Sequence, residues 1–593
     1  MYRFQRTIQG YNLISKCSSL RCIRLLIRNI NSYTGTPKSK YDAVIIGGGH
    51  NGLVAAAFLA RSGRQVCVLE RRHVVGGAAV TEQIIPGFQF SRASYVLSLL
   101  RPEIIHELDL KKHGLKLHFR NPGSYTPLRQ HYWQSPKNGR SLKLGSNDEE
   151  NQRQIAQFSQ KDAQNFLHYE RLLFKLVKSI SPLMDLSTHT LMEEFFNRNA
   201  FRKILNLFTN KDLRNAALAL STMRSETRDL YIFLTTSISS ILDEWFESEP
   251  LKATLATDAL IGTMADCNSL CTGYGLLHHM MGNIDGRLGA WAYPEGGMGA
   301  VTQSIAKSAI SSGAEIYVNK CVKSIVLDGS KHVKSVETSD GLEIETKLLL
   351  SNATPLVTVN LLPENALTNQ YKRTIQRIDY TSPVTKINVA LSRIPDFEAD
   401  PSTTSSGEMP HHQATIHLNC ETTSLLNGAY QDGINGNLPS RPMIEMVIPS
   451  SLDKTIAPPG AHVCLLFTQF TPYKLAGKTW TNQVKQEYAN IVFDSIEDYA
   501  PGFKSSIVGK EVLSPPDLEE VFGLTGGNIF HGSMSLDQIL LNRPASYGCD
   551  RYGPETAVGG LLLCGSGVHP GGGVTGIPGK LAALHAIRSK TTT

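Results

Sequence analysis

Three glycines and a glutamate carry the strongest chemical signal in this chain. Gly47, Gly49 and Gly52 form a GxGxxG turn after an apolar segment. Gly47 permits a tight turn, Gly49 lets the backbone approach a pyrophosphate, and Gly52 lets the following helix pack closely on the strand. A helix that begins there would present free N–H groups and a positive dipole to phosphates. The pattern therefore predicts a dinucleotide site, in which Glu70 accepts hydrogen bonds from the ribose hydroxyls.

The elements around this turn support that interpretation. Residues 42–46 and 65–69 are apolar and β-branched, as buried parallel strands are, and the Ala/Leu-rich residues 53–61 predict the helix between them. Strand, glycine turn, helix, strand and terminal acid occur together at the spacing of the dinucleotide fingerprint.

A glycine pair follows the acidic residue. Gly76 and Gly77 resemble the extension found in FAD enzymes of the amine oxidase and phytoene desaturase superfamily. This resemblance implies FAD as the cofactor, with the pair along the diphosphate and ribityl chain and Arg71 as a further contact. Amine oxidases place arginines around this pair, whereas Val74 and Ala78 stand here. An amine oxidase proper is therefore the less favoured member of the superfamily.

Four later segments extend the resemblance to phytoene desaturases and phytoene dehydrogenase-related proteins. They are residues 291–299, 313–322, 351–355 and 563–576, in the order of that family. The resemblance implies an adenine-holding backbone in the second segment and flavin contacts in the last. The cofactor contacts that it adds are Val322, Gly565, Ser566, Gly573 and Val574.

Two histidines lie within segments that resemble family motifs near the flavin. His569 lies inside the C-terminal glycine motif, and His531 lies in residues 526–532. Each is a candidate for acid–base chemistry or for a contact with flavin or substrate. Because a flavin supplies the redox chemistry itself, neither a catalytic triad nor a metal is expected.

The remaining histidines favour structural roles. His411, His412 and His417 have no companion carboxylate or cysteine pattern, so they are interpreted as part of a solvated loop. His278 and His279 are interpreted as helix surface or packing. No metal site is predicted.

The chain contains one complete nucleotide-binding unit. The glycine clusters at 296–299 and 571–573 lack a following strand with a terminal acid. Disulfide reductases also place a cysteine pair soon after their first glycine motif, and only Cys67 is near it here. The sequence therefore predicts that NADH and NADPH do not reduce the flavin rapidly.

The predicted fold class is α/β, with a discontinuous Rossmann-like FAD-binding domain. It comprises residues 41–100, 290–360 and 535–593. A mixed α+β substrate domain with a helical insertion comprises 101–289 and 361–534. Residues 401–440 are rich in Ser, Thr, Asn and Gly and are predicted to form a loop excursion.

The composition of the N-terminal segment predicts where in the cell the protein is located. The formal net charge is +7, but the first 40 residues hold eight basic and no acidic residues, so the rest is close to neutral. Such a body carries no general nucleic-acid footprint. The acid-free segment, with Arg21, Arg24 and Arg28 at helical spacing, predicts a mitochondrial transit peptide over residues 1–35. We expect a location on the matrix side, with peripheral contact to the inner membrane or its proteins as an extension.

The expected function is flavin-dependent dehydrogenation, desaturation or isomerisation of an apolar small molecule. The resemblance leaves the electron acceptor open among oxygen, a quinone and a protein carrier. Two alternatives also stay open: a flavin-binding interaction protein with little turnover, and an amine oxidase-like enzyme. The latter requires an aromatic cage for the amine, which the sequence does not reveal.

Overall fold

The computed structural model describes residues 35–132, 139–196, 209–222, 226–544 and 553–589. The predicted transit peptide therefore lies outside the described residues, apart from its last position. Among the described helices, none is long and apolar enough to cross a membrane.

The strands and helices of the described residues are numbered here in chain order. The strands are β1 Ala43–Ile46, β2 Val66–Leu69, β3 Thr81–Ile85, β4 Phe88–Ser91, β5 Leu117–Phe119, β6 Ser124–Pro127, β7 Ser141–Leu144, β8 Asn283–Ile284, β9 Arg287–Leu288, β10 Ala292–Pro294, β11 Glu315–Tyr317, β12 Val322–Leu327, β13 Val333–Thr338, β14 Glu343–Glu345, β15 Leu349–Ser351, β16 Val384–Leu391, β17 Thr415–Leu418, β18 Met443–Val447, β19 His462–Gln469, β20 Ile507–Leu513 and β21 Leu561–Leu563. The helices are α1 His50–Arg61, α2 Pro102–Glu107, α3 Asp148–Ala156, α4 Gln160–Met184, α5 Thr188–Phe196, α6 Lys211–Thr222, α7 Thr227–Thr235, α8 Ile238–Trp245, α9 Glu249–Leu260, α10 Gly273–Met280, α11 Met298–Ser311, α12 Pro355–Asn360, α13 Asn369–Gln376, α14 Thr423–Ile434, α15 Asn482–Glu497, α16 Phe503–Ser506, α17 Pro515–Phe522 and α18 Ile577–Arg588.

A five-stranded parallel sheet forms the nucleotide half of the molecule. Its strand order is β11-β2-β1-β15-β21, so strands from distant parts of the chain lie side by side. The β1 and β2 residues are all buried, which matches the continuous apolar sequence of strands covered on both faces. Helices α1, α11 and α18 pack together on this sheet. Together with the fold of the structural relatives described below, this confirms the predicted α/β fold class.

A seven-stranded mixed sheet forms the second half, in the order β20-β16-β19-β18-β17-β6-β7. Side chains of β16 alternate between its two faces, as a strand requires. Ile387, Val389 and Leu391 pack with α15, while Val384 and Ala390 belong to the cluster that includes α9 and α10. One face of the sheet therefore packs against α15, and the other faces α9 and α10.

The described residues between 148 and 280 are mostly helical, as the sequence pattern indicates. Helix α4 buries Phe166, Tyr169, Leu173, Leu176 and Val177, the residues whose helical spacing the sequence shows. The assignment of whole chain segments to two domains stays a prediction.

The predicted loop at 401–440 is wrong from residue 415 onward, where the segment contains β17 and α14. Ile416 pairs with Met446 across β17 and β18, and Thr422 caps α14 by accepting a hydrogen bond from the N–H of Leu425. Sheet pairing and capping therefore outweigh the turn-like composition of this segment.

The histidines predicted to be solvated in that segment are instead buried. His411, His412 and His417 are only 3%, 1% and 4% exposed. The Nδ1 atom of His412 accepts a hydrogen bond from the N–H of Met409, and the ring of His411 stacks on Tyr125 with centroids 4.5 Å apart. Local hydrogen bonds and ring packing compensate for their burial.

Candidate flavin and substrate site

One cavity brings the glycine turn and the second sheet together. The volume of this cavity is about 420 Å³. Most of the residues predicted from sequence line this space. They are Gly47, Gly49, Glu70, Arg71, Gly76, Gly77, Val322, His531, Ser566, Gly573 and Val574. Among the predicted residues, Gly52, Gly565 and His569 lie outside the lining.

The two glycine segments lie directly against each other. The N–H of Gly76 donates to the carbonyl of Gly48 at 2.8 Å, and a Cβ on Gly77 would come within 3.3 Å of the Cα of Gly49. Gly47 has a φ of +92°, a left-handed value that favours glycine. A Cβ at Gly52 would lie 2.2 Å from the carbonyl oxygen of Gly47, so only glycine permits this packing.

Asn352 is a site residue to which the sequence assigned no role. It follows β15, which pairs with β1, so its side chain reaches the glycine turn. Its Nδ2 donates to the carbonyl of Gly47 at 3.2 Å and would lie 2.7 Å from a Cβ on Gly49. On its other side, a Cβ on Gly565 would lie 2.8 Å from the Asn352 carbonyl. Asn352 therefore joins the first and last glycine motifs.

Glu70 occupies the end of β2 as the fingerprint requires. Its carboxylate accepts hydrogen bonds from the N–H groups of Gly48 at 2.7 Å and Arg72 at 2.8 Å. Burial raises the pKa of Glu70, and these two hydrogen bonds oppose that effect. The N–H of Lys320 donates to the Glu70 carbonyl, which holds the segment leading to Val322 beside the acid. Glu70 and Val322 thus lie where a nucleoside would be held.

Arg71 reaches toward the second half of the molecule. Its Nη2 donates to the carbonyls of Glu520 and Val521 at 2.9 and 3.0 Å, at the C-terminal end of α17. A cation there complements the negative end of the helix dipole. Arg71 lines the cavity, but its guanidinium group binds backbone carbonyls of α17, so these hydrogen bonds do not indicate an anion-binding role.

The C-terminal glycine motif is held by a buried arginine. Arg543 is 1% exposed and donates to backbone carbonyls of five residues. The acceptors are Phe530, Gly532, Ser533, Gln538 and Ser566. Burial lowers its pKa to about 10. Arg543 therefore connects the segment that contains His531 to the C-terminal glycine motif. In that motif, the Ser566 hydroxyl accepts a hydrogen bond from Asn51 Nδ2 at 3.2 Å.

His531 lies at the cavity wall in a constrained turn. Its φ is +60°, and the Asn528 side chain supports the turn by accepting from the N–H groups of Phe530 and Gly532. Burial lowers the pKa of His531 to about 3, and that of the neighbouring His50 to about 4. Both rings are therefore neutral near pH 7 and suited to hydrogen bonding. The sequence analysis did not single out His50, although it begins the fingerprint helix.

His569 is placed away from the cavity. The side chain is 2% exposed and lies against the backbone carbonyls of Leu183, Met184 and Leu186, at the end of α4. Burial lowers its pKa to about 4. His569 does not line the cavity, and its catalytic role stays a prediction.

The residues present fit an FAD. The bare glycine backbone offers room for a diphosphate at the N-terminus of α1, whose first turn contains no acidic residue. His50 Nε2 and His531 Nδ1 are buried without hydrogen-bond partners within the described structure. These two atoms belong to side chains that line the cavity and are suited to a polar cofactor.

The same cavity continues into an aromatic and aliphatic chamber. Its aromatic side chains are Tyr95, Trp291, Phe467, Phe522 and Phe530. Lys386, which the sequence analysis treated only as part of a strand, also lines it and is 1% exposed. Its Nζ donates to Asn388 Oδ1 at 2.7 Å, and burial lowers its pKa to about 7. An alternating strand pattern could have marked Lys386 as facing inward, since Val384 and Ala390 share its face.

One group of potential metal ligands occurs among the described residues, outside this cavity. It consists of His189, Glu555 and His585, whose ligand atoms lie within 4.8 Å of one another. His585 Nε2 and Glu555 Oε1 are 3.0 Å apart, an ordinary ion-pair distance. No metal site is predicted from the sequence, and these three residues are not among the predicted site residues.

Comparison with known proteins decides the family. Residues 52–579 match the family described as flavin containing amine oxidoreductase, from the last glycine of the first motif through the C-terminal glycine motif. The chain belongs to this family. It is therefore an FAD-dependent oxidoreductase, and the cofactor and the class of enzyme predicted from the sequence are confirmed.

Relatives that match over almost the whole chain include one named as a phytoene desaturase. The chain is 52% identical to pyridine nucleotide-disulfide oxidoreductase domain-containing protein 2 of Rattus norvegicus, with 93% of this chain and 94% of the relative covered. It is 23% identical to a lycopene-forming phytoene desaturase of Pseudescherichia vulneris, with 92% and 98% covered. The predicted resemblance is confirmed.

Solved structures share the fold. An oxidoreductase from Methanosarcina mazei has a TM-score of 0.54 at 16% identity, with 93% of this chain and 100% of that chain covered. A triple mutant of putrescine oxidase has a TM-score of 0.55 at 13% identity, with 93% and 98% covered.

We expect Gly49→Val to yield protein without flavin. The added side chain would meet the Asn352 amide and fill the space where the diphosphate must approach. The check is the flavin absorbance per protein after purification. Gly428→Val is the matched control, because Gly428 lies exposed on α14 with nothing within 4 Å of its Cβ position. Normal flavin content in Gly49→Val would show that the phosphates bind elsewhere.

We expect Lys386→Met to stabilise the protein more at pH 7 than at pH 9. The pKa of Lys386 is about 7 when folded and 10.5 ordinarily, so the unfolded chain binds the extra proton between these values. The native protein therefore gains stability as pH rises through this window, by up to about 1.4 kcal/mol per pH unit, and the variant does not. Thermal unfolding midpoints at both pH values measure the difference. Lys323→Met, at an exposed position of β12, is the control, and an equal effect at both pH values would contradict the prediction.

Proposed function

We propose that this oxidoreductase dehydrogenates, desaturates or isomerises an apolar small molecule in mitochondria. The supporting observation is the single cavity that joins the FAD-binding glycine turn to the aromatic and aliphatic chamber. Ligand sites of this kind are concave, mostly apolar and equipped with a few polar groups that fix orientation.

The chamber suits a ligand with a hydrocarbon body. Besides the aromatic rings, its wall contains aliphatic side chains from both halves of the molecule. These are Val96, Leu99, Ile261, Val384, Leu518, Leu524 and Ile529. Burial of an apolar ligand against such side chains contributes roughly 25 cal/mol per Å² of surface removed from water. The relative named phytoene desaturase acts, by its name, on a hydrocarbon, which supports the same class of substrate.

The cofactor and the protein have separate roles in this arrangement. When bound, FAD supplies the capacity to take two electrons from a substrate. The chain orients the substrate, excludes water through the apolar wall and places Lys386, Tyr95 and His279 at the cavity surface. Electrons then pass to oxygen, a quinone or a protein carrier, or return to the product in an isomerisation.

The test is anaerobic mixing of the FAD-loaded protein with a library of apolar lipids and amines. Flavin bleaching by an apolar compound, followed at the flavin absorbance maximum, is the expected result. Bleaching by small polar amines alone would instead favour an amine oxidase activity.

We expect NADPH and NADH not to bleach the flavin within seconds. Rapid reduction requires a nicotinamide held against the flavin, and the described residues contain one strand, GxGxxG turn and acid unit, whose acid Glu70 lies in the FAD cavity. Stopped-flow mixing with excess NADPH is the measurement. An organic substrate from the library is the positive control, and complete bleaching by NADPH would overturn the assignment of a single nucleotide site.

The proposed mitochondrial location depends only on the basic N-terminal segment, residues 1–35. We expect removal of residues 1–35 to leave the protein in the cytosol, because the arginine-bearing amphipathic segment would be lost. Fractionation of cells that express the full and the shortened chain is the measurement, with matrix and peripheral membrane fractions separated by carbonate washing. Unchanged mitochondrial recovery of the shortened chain would refute the proposed leader.

A further inference from the structure

A row of side chains crosses the chamber face of the second sheet. Register places Lys386 of β16 opposite Phe467 of β19, Phe467 opposite Glu445 of β18, and Glu445 opposite His417 of β17. Residues directly opposite on neighbouring strands point to the same face. Lys386 and Phe467 line the cavity, so Glu445 and His417 lie on the same face one and two strands beyond it.

Tyr95 connects the cavity wall to this row. Its hydroxyl donates to Glu445 Oε2 at 2.5 Å, while Glu445 Oε1 is buried without a hydrogen-bond partner within the described structure. Burial, together with the negative charge of Asp258, raises the pKa of Glu445 to about 8, while the hydrogen bond from Tyr95 and the positive charge of Arg120 oppose the rise. The wall at Tyr95 is therefore polar but carries no formal negative charge near pH 7.

His279 is the second polar group of this wall. Its Nδ1 lies 2.9 Å from the carbonyl oxygen of Gly275, and a carbonyl only accepts, so Nδ1 carries the hydrogen. In the neutral ring, Nε2 is then the proton acceptor. The ring lies between Trp291 and Phe530, with centroids 6.4 and 6.3 Å away, and all three residues line the cavity.

The charges of Asp258 and Arg120 act on this wall from outside the cavity lining. Burial lowers the pKa of His279, and the Asp258 carboxylate on α9 and the backbone carbonyls of Gly275 and Asp258 oppose that effect. Burial raises the pKa of Asp258, and the positive charges of His279 and Arg120 oppose that rise. Arg120 donates to Thr415 Oγ1 at 2.7 Å and lies 5.8 Å from the ring centre of Trp291. An imidazolium at His279 would therefore form beside a carboxylate.

We propose that Tyr95 and His279 bind the hydroxyl group of an otherwise apolar alcohol, and that His279 accepts the hydroxyl proton when this alcohol is oxidised. This inference rests on the proposed function. The C–H bond breaks and its hydride reduces FAD, the O–H bond breaks and its proton passes to His279 Nε2, and the carbonyl C=O double bond forms. The charge of the resulting imidazolium is stabilised by Asp258.

The wall discriminates among functional groups. A pure hydrocarbon would offer no hydrogen bond to His279 Nε2 or to the remaining capacity of the Tyr95 hydroxyl, which is unfavourable for buried polar groups. A cationic amine would meet Lys386 and no carboxylate among the residues lining this end, since Glu445 and Asp258 stand behind the wall. A hydroxyl group both donates and accepts. Its O–H donates to His279 Nε2, and its oxygen accepts from the Tyr95 phenol when the protonated Glu445 carboxyl donates to the phenol oxygen in turn.

The test uses the FAD-loaded full chain with 2-decanol, decane and 2-aminodecane. Perturbation of the flavin absorbance gives dissociation constants, and anaerobic bleaching gives the reduction rate. We expect 2-decanol to bind about tenfold more tightly than decane, the effect of one buried hydrogen bond. We also expect it to bleach the flavin faster than the other two compounds.

Variants separate binding from proton transfer. His279→Gln keeps a donor and an acceptor but no base, so it should retain the preference for 2-decanol while bleaching slows by about 100-fold or more. His279→Leu and Tyr95→Phe should reduce the preference for 2-decanol. His417→Gln is the control, because His417 is equally buried in the same row but does not line the cavity.

The other possible results would contradict either the alcohol inference alone or both proposals. Decane that binds or bleaches as well as 2-decanol, or His279→Gln that bleaches at the native rate, overturns the alcohol inference but leaves the proposed function standing. Faster bleaching by 2-aminodecane overturns it as well. If neither decane nor 2-decanol perturbs a flavin that is demonstrably bound, the apolar chamber itself is misassigned and both proposals fail.

Discussion

The close approach of bare backbone around Gly49 is the constraint on which the nucleotide half of the molecule depends. Gly49 faces Gly77 on one side and the Asn352 amide on the other, and a single added Cβ would come within 2.7 Å of that amide. The strand order β2-β1-β15 is what brings these three parts of the chain together. A side chain there would separate the ends of two paired strands as well as obstruct a phosphate, so local geometry and cofactor binding impose the same requirement.

The sequence predicts this half well because its signals are local. Glycines whose roles depend on a tight turn, an acid at the end of the next strand and a buried β-branched run are all readable within some thirty residues, roughly the length of one such unit. The role of Asn352 is not readable in this way. It arises only when β15 lies beside β1, about three hundred residues apart in sequence, although the segment that contains Asn352 resembles a family motif.

The second sheet, in contrast, could not be predicted well from the sequence. Residues 411–417 look polar and turn-forming, yet pairing of β17 with β18 buries them, and ring stacking on Tyr125 and hydrogen bonds of His412 compensate. Whether a polar residue in such a segment faces solvent or a cavity is fixed by register, since a shift of one residue reverses every side chain. Composition does not contain that information, and the inward position of Lys386 and Glu445 was missed for the same reason.

The polar groups of the chamber differ in what they contribute to the fold. Lys386 donates to Asn388, whose amide in turn donates to the Arg92 carbonyl and to Glu511, so this group links strand and loop. Tyr95 and Glu445 share a single hydrogen bond, which the phenol donates to the carboxyl, and the other carboxyl oxygen has no hydrogen-bond partner in the described structure. Replacement of such a buried polar pair by hydrophobic groups of similar volume is often neutral or stabilising. Packing alone therefore does not account for a phenol, an imidazole and two carboxyls gathered at the apolar end of a flavin cavity, whereas recognition of a polar group on the substrate does.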